Sequence, residues 1–171
     1  MNAKRYRTLL VCITALTTFV MTGCAQVISQ KALKEVDQSL RFEQLLENPE
    51  AYQGKIVLLG GDIIETQNFP DKTLIVILQH SLDFRKKPVA EDLSKGRFIV
   101  SVPGFLDPAI YRPKRKITVV GSVVGKEVRP LGKIEYAYPI IAKRELHIWP
   151  SEESFGTEPR VRFGVGIGIG F

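Results

Sequence analysis

Two long runs of apolar, mostly β-branched residues, each interrupted by glycines, constrain this chain more than any other feature. They are Ile56-Val57-Leu58-Leu59-Gly60-Gly61-Asp62-Ile63-Ile64 and Lys116-Ile117-Thr118-Val119-Val120-Gly121-Ser122-Val123-Val124-Gly125. Stiff, branched side chains favour strands, and glycine inside a strand marks a bulge or a sharp bend, as at the corner of a small barrel. Residues 74–78 and 97–102 add two shorter strands of the same kind. Asn68-Phe69-Pro70-Asp71-Lys72 is turn chemistry ahead of the first, and Pro103 ends the second. After a turn at Pro130-Leu131-Gly132, residues 136–141 and 146–149 predict a fifth strand, bent at Pro139 and closed by Pro150. One helix is expected over residues 37–46, where Leu40, Phe42, Leu45 and Leu46 approximate one apolar face and Asn48-Pro49 stops it. Residues 105–111 read as a single helical turn with Asp107 as cap and Pro108 at its first position. The pattern predicts a mainly β chain: a small OB-like five-stranded barrel preceded by one helix. An open sheet covered by that helix is the competing arrangement.

Residues 1–23 have a different character. Lys4, Arg5 and Arg7 form a basic start, an apolar run follows from Leu9 to Met21, and Gly23 precedes Cys24. Charge, short apolar core and small residue is the order of a secretion signal. The run falls short of the ~20 residues of a permanent span, although an uncleaved anchor is the alternative. Met21-Thr22-Gly23-Cys24 resembles the bacterial lipobox. That resemblance implies cleavage between Gly23 and Cys24 and attachment of lipid to the Cys24 thiol. Several acyl chains on one cysteine anchor a protein firmly, whereas one chain holds it only marginally. Ala25 stands where an Asp would imply inner-membrane retention, so the same resemblance favours the outer membrane.

The remaining counts agree. Of two cysteines, Cys12 lies in the signal and Cys24 would carry the lipid, which leaves no thiol for disulfides, thiol catalysis or zinc. The formal net charge of +6 is halved on removal of Lys4, Arg5 and Arg7, too little to argue for nucleic acid. The chain then divides into the signal (1–23), a tether (24–36), one β domain (37–150), and a polar linker with a glycine-rich apolar tail (151–171). In the tail, Val161, Phe163, Val165, Ile167, Ile169 and Phe171 alternate with arginines and glycines. An extra strand on the domain, a flexible tail, and pairing with a partner's sheet edge or the membrane all remain open for it.

Pro49-Glu50-Ala51-Tyr52-Gln53-Gly54-Lys55 leading into Gly60-Gly61-Asp62-Ile63-Ile64, then Gly104-Phe105-Leu106-Asp107-Pro108 with Tyr111-Arg112, then Ile117-Thr118-Val119-Val120-Gly121 and Ile148-Trp149, are similar to the Slp family of outer-membrane lipoproteins. The Gly-Phe-Leu-Asp-Pro piece is the most specific. The resemblance spans about residues 42–150 plus the lipobox, and the glycine-rich end departs from it. It implies an outer-membrane lipoprotein of a starvation-inducible type, with a compact β domain in the periplasm and no catalytic residues to carry over.

Chemistry is sparse in the rest of the chain. His80, near Asp83, and His147, on a strand face with Glu145, read as surface or rim histidines, so no metal or other cofactor is expected. No Gly-x-Ser-x-Gly elbow accompanies Ser101 or Ser122, and no Lys-Ser or Lys-Thr follows the glycines, so no enzyme is expected. Lys114-Arg115-Lys116 beside Tyr111 offers a basic cluster that suits lipid headgroups better than nucleic acid in an exported protein. Phe105, Leu106 and Pro108 either plug the end of the barrel or form a binding lip with Tyr136, Tyr138 and Trp149. Two functions follow as expectations. One is a structural or envelope-interaction lipoprotein with no turnover, held to the membrane through Cys24 and touching an envelope protein. The other is a periplasmic ligand- or protein-binding module.

Overall fold

The computed structural model describes residues 26–89 and 93–151. The signal, Cys24 and the tail at 152–171 lie outside the described residues. Two short helices, α1 (Gln30–Glu35) and α2 (Phe42–Glu47), and a 3-10 turn (Pro49–Tyr52) precede five strands. These are β1 (Ile56–Asn68), β2 (Lys72–Gln79), β3 (Arg97–Pro103), β4 (Lys116–Leu131) and β5 (Ile134–Ile148).

The sheet closes in a ring in the order β1-β2-β3-β5-β4, so the open-sheet alternative falls away. All pairs are antiparallel except β3 with β5, which runs parallel from Ile99–Ile140 to Ser101–Ala142. Closure depends on β1. It pairs with β4 over Ile56–Asp62 and with β2 from Gly61 to Asn68, so it exchanges neighbours at Gly61 and Asp62. The other bends fall on β4, whose register shifts at Val120/Gly121 and Val123/Gly125, with Gly125 at φ +139°. The bend expected at Pro139 is therefore carried by glycines on the partner strand, and Pro139 stays in the ladder opposite Lys126. The β4–β5 turn also sits later than its proline suggested. Pro130 pairs with Glu135, and the chain reverses at Gly132-Lys133.

Alternation sorts the side chains into two layers. Val57, Ile75, Ile77, Phe98, Val119 and Ile141 fill the inside of the ring, and Phe42 and Leu45 of α2 pack on the same cluster. Leu74, Val76 and Ile99 point outward, yet they too are buried. Tyr136, Tyr138 and Ile140 of β5 cover them and build a separate outer cluster. Each such fully buried aliphatic side chain contributes about 1.5–3 kcal/mol.

The expected tether is mostly part of the fold. Ser29 caps α1 by accepting from Ala32 N at 3.1 Å. Its own N and Oγ donate to Glu145 on β5 at 2.8 and 2.5 Å. Ile28 (2% exposed) and Ala32 pack against Ile56 and Val120 on the outside of β1 and β4. A six-residue helix is too short to show the apolar period that sequence reading relies on. The helix expected at 37–46 forms only from Phe42. Ahead of it, Asp37 N donates to Ile56 O, and Asp37 Oδ1 accepts from Ser39, which holds the segment as a turn.

Candidate functional site

The four residues expected to form one lip are dispersed. Tyr136 and Tyr138 stack edge-to-face at 4.7 Å, and the Tyr136 hydroxyl accepts from Arg97 N at 2.8 Å. Tyr138 is buried. Trp149 lies just past the opposite end of β5, with its N donating to Lys116 O and its Nε1 donating to Thr118 Oγ1 at 2.9 Å. Phe105 is 71% exposed in the β3–β4 loop and neither plugs the ring nor meets the others. Leu106 and Tyr111 pack on the core in its place. Asp107 does cap a turn there, accepting from Ala109, Ile110 and Tyr111. Sequence spacing left plug and lip open because it does not reveal which aromatic serves as packing and which stays outside.

His80 is not a rim residue. It is buried at the start of the β2–β3 connection, with Nε2 3.6 Å from Asp62 Oδ2, and Lys116 Nζ holds Asp62 Oδ1 at 3.1 Å. His80 Nδ1 and Gln79 Oε1 are buried without a hydrogen-bond partner in the protein. His147 stacks edge-to-face on Trp149 at 4.7 Å, and burial holds it below the ordinary histidine value of 6.5. Among the described residues no three His, Cys, Asp or Glu come together as a metal-ion group. The basic cluster at 114–116 is largely engaged within the protein. Arg115 donates to Trp149 O at 2.8 Å, and Lys116 binds Asp62.

What the fold does bring together lies around its first described residues. Gln26, Val27, Ile28 and Leu33 share a cavity of about 470 Å³ with Phe84, Lys86 and Trp149. A neighbouring cavity of about 530 Å³ is lined by Leu33, Lys34, Asp37, Leu58 and Lys86. The β2–β3 connection reaches this place as a small rigid hairpin. Leu82 bridges Pro88, Val89 N donates to Ser81 O, and Asp83 and Lys87 bond through their backbones. Asp83 Oδ1 accepts from Arg85 N and Lys87 N, both at 2.8 Å. Burial opposes ionisation of Asp83, but those two N–H groups keep its carboxyl below the ordinary range. Lys86 takes a left-handed φ of 68°, and its carbonyl accepts from Thr118 Oγ1 at 2.6 Å, which pins the hairpin to β4. Phe84 stands at its tip, 87% exposed, with Arg85 5.7 Å from its ring centre. The sequence pattern between residues 78 and 97 gives no strand signal for this hairpin.

A small closed β module that follows the lipobox-like Met21-Thr22-Gly23-Cys24 fits an envelope lipoprotein. The chain belongs to the outer membrane lipoprotein Slp family, whose model matches residues 21–164. The match starts within Met21-Thr22-Gly23-Cys24 and reaches into the glycine-rich end, further than the resemblance read from the sequence. The chain is 31% identical over 133 residues to an uncharacterized protein of Haemophilus influenzae (strain ATCC 51907 / DSM 11121 / KW20 / Rd), covering 77% of this chain and 71% of that one. It is also 31% identical over 130 residues to the uncharacterized lipoprotein YeaY of Escherichia coli (strain K12), covering 76% and 67%. No solved structure matches. Among the described residues no helix is long and apolar enough to cross a membrane.

Proposed function

We propose that this chain is cleaved after Gly23, lipidated on Cys24, and held on the outer membrane with its β module in the periplasm, where it makes envelope contacts without turnover. One observation carries the reading: the family match begins at Met21 and so includes the cysteine and the three residues before it. The module is of OB type in this reading, since its five strands close in a ring with a parallel β3–β5 pair inside an otherwise antiparallel order. Several acyl chains on one cysteine suffice to anchor such a module without a spanning helix. The test is the intact mass of the membrane-extracted protein beside Cys24→Ala. A mass that starts at Cys24 with added acyl chains, lost in the variant, is the expected result. A full-length, unacylated mass overturns the reading.

The second reading, a ligand-binding module, is favoured by the apolar cavity between Val27, Leu33, Phe84 and Trp149. Trp149 is the chain's one tryptophan, so its fluorescence reports on that cavity directly. A saturable change with a long-chain fatty acid supports a bound apolar ligand, and a flat titration removes this reading.

A further inference from the structure

We propose that the Asp83–Lys87 hairpin is a second membrane contact: Phe84 enters the lipid interface while the adjoining cations meet anionic phospholipid headgroups. The inference rests on the reading that Cys24 carries the lipid.

Chain geometry carries the argument. Gln26 is two residues from Cys24, and two extended residues span at most about 7 Å. The acyl chains therefore leave the protein within that reach of Gln26. Gln26 and Phe84 line the same cavity, so the bilayer that takes up the acyl chains lies beside Phe84. Val27 and Ile28 are already packed on the module, and Ser29 is fastened to Glu145, so little slack is left to swing it away.

The hairpin has the composition for this place. Its tip is an exposed phenylalanine, an aromatic body suited to the boundary between headgroups and acyl chains. Beside it stand Arg85 and Lys86 against a single acid, Asp83, while Lys87 Nζ turns back to 6.0 Å from the Trp149 ring centre. Lys34 of α1 lines the adjoining cavity with Lys86 and extends the basic face. Of the nearby acids, Asp37 pairs with Lys55 at 3.0 Å and Glu35 with Arg144, while Asp83 pairs with Arg85 at 3.5 Å and offsets part of the hairpin's own charge. Cations near an anionic bilayer add attraction that falls off within a Debye length, so only side chains at the surface itself contribute. The rigidity matters as well. The backbone bonds within the hairpin and the Thr118 tie fix its main chain before any membrane is met, so insertion has only the Phe84 and cationic side chains left to order.

The test uses the full lipidated chain with Phe84→Cys, labelled with an environment-sensitive fluorophore and reconstituted in vesicles of phosphatidylethanolamine and phosphatidylglycerol. Phe105→Cys is the comparison, because the Phe105 loop meets the sheet beside Asn68, at the far end of β1 from the anchor. At position 84 the expected result is a blue-shifted emission, quenching by lipid-borne spin labels, and several-fold weaker quenching by aqueous iodide than at 105. Omitting phosphatidylglycerol, or adding Arg85→Glu, reduces the difference. If the chain floats with the vesicles while positions 84 and 105 are equally open to iodide and unquenched by lipid, the inference is overturned and the anchor stands. If the protein with neither substitution itself takes up the thiol label, Cys24 is not acylated and the anchor reading fails, taking this inference with it.

Discussion

Gly61 faces the Leu78 carbonyl so closely that a Cβ would stand 1.8 Å from its oxygen. The obstacle is backbone, at the place where β1 exchanges one neighbour for another, and cannot move without opening the ring. Gly61→Ala is therefore expected to cost about 3 kcal/mol or more, read as a large drop in thermal midpoint or loss of folded protein. Gly54 poses a different problem. A Cβ there meets nothing within 4 Å, but its φ of +81° is left-handed, so Gly54→Ala should cost only about 1–2 kcal/mol. Phe105→Ala separates packing from exposure. With its ring outside the core it should leave stability within about 0.5 kcal/mol, whereas a plug would lose several.

At the scale of elements, α1 is what turns an apparent tether into part of the domain. Its one helical turn and a half has little stability of its own, so packing and the Ser29–Glu145 bonds hold it. Two hydrogen bonds from Ser29, the side-chain one first, keep the Glu145 carboxyl below its ordinary value. Ile28→Ala should cost about 2–4 kcal/mol in chemical denaturation, since it empties a buried site between α1 and the sheet. A free tether would show no change. The far part of the β4–β5 hairpin is held in a similar way: its tyrosines cover the outward residues of β2 and β3, which would otherwise expose an apolar sheet face.

For the whole molecule, the perturbed groups set a common pH trend. Asp37 is held at about 2, against an ordinary 3.8, by the Ser39 hydroxyl, Lys55 and the Ser39 N–H. Glu43 is lowered by Lys95, and Asp83 and Glu145 are lowered as described. For each, the unfolded chain takes up its proton first as pH falls. Their stabilisation is thus present above about pH 4 and is lost on the way to about pH 2. His147 acts in the same direction from a higher start. Its folded value lies below 6.5, so the unfolded state gains a proton first as pH drops through that value. Scanning calorimetry should show a plateau above about pH 7, a shallow decline below 6.5 and a steeper one below about 4. His147→Gln should remove the shallow part, and Asp37→Asn should blunt the steep part.

The sequence by itself determined the local choices: five strands, their glycine interruptions, the turn chemistry at Asn68–Lys72 and the lipobox-like residues up to Cys24. These depend on the branching of a side chain, the freedom of a glycine or the order of charge and apolarity, all present in a few consecutive residues. It did not determine which groups meet. His80 and Asp62 stand 18 positions apart in the chain, Phe84 and Gln26 58, and each pair was joined only when the sheet closed. Nor did it separate Phe105, left outside, from Tyr138, buried, because alternation gives a face and not what covers it. Only the tertiary structure decided that residues 27–36 belong to the module and that the Phe84 hairpin lies beside Gln26. Both follow from long-range packing on the outer face of β1 and β4, which no local pattern encodes.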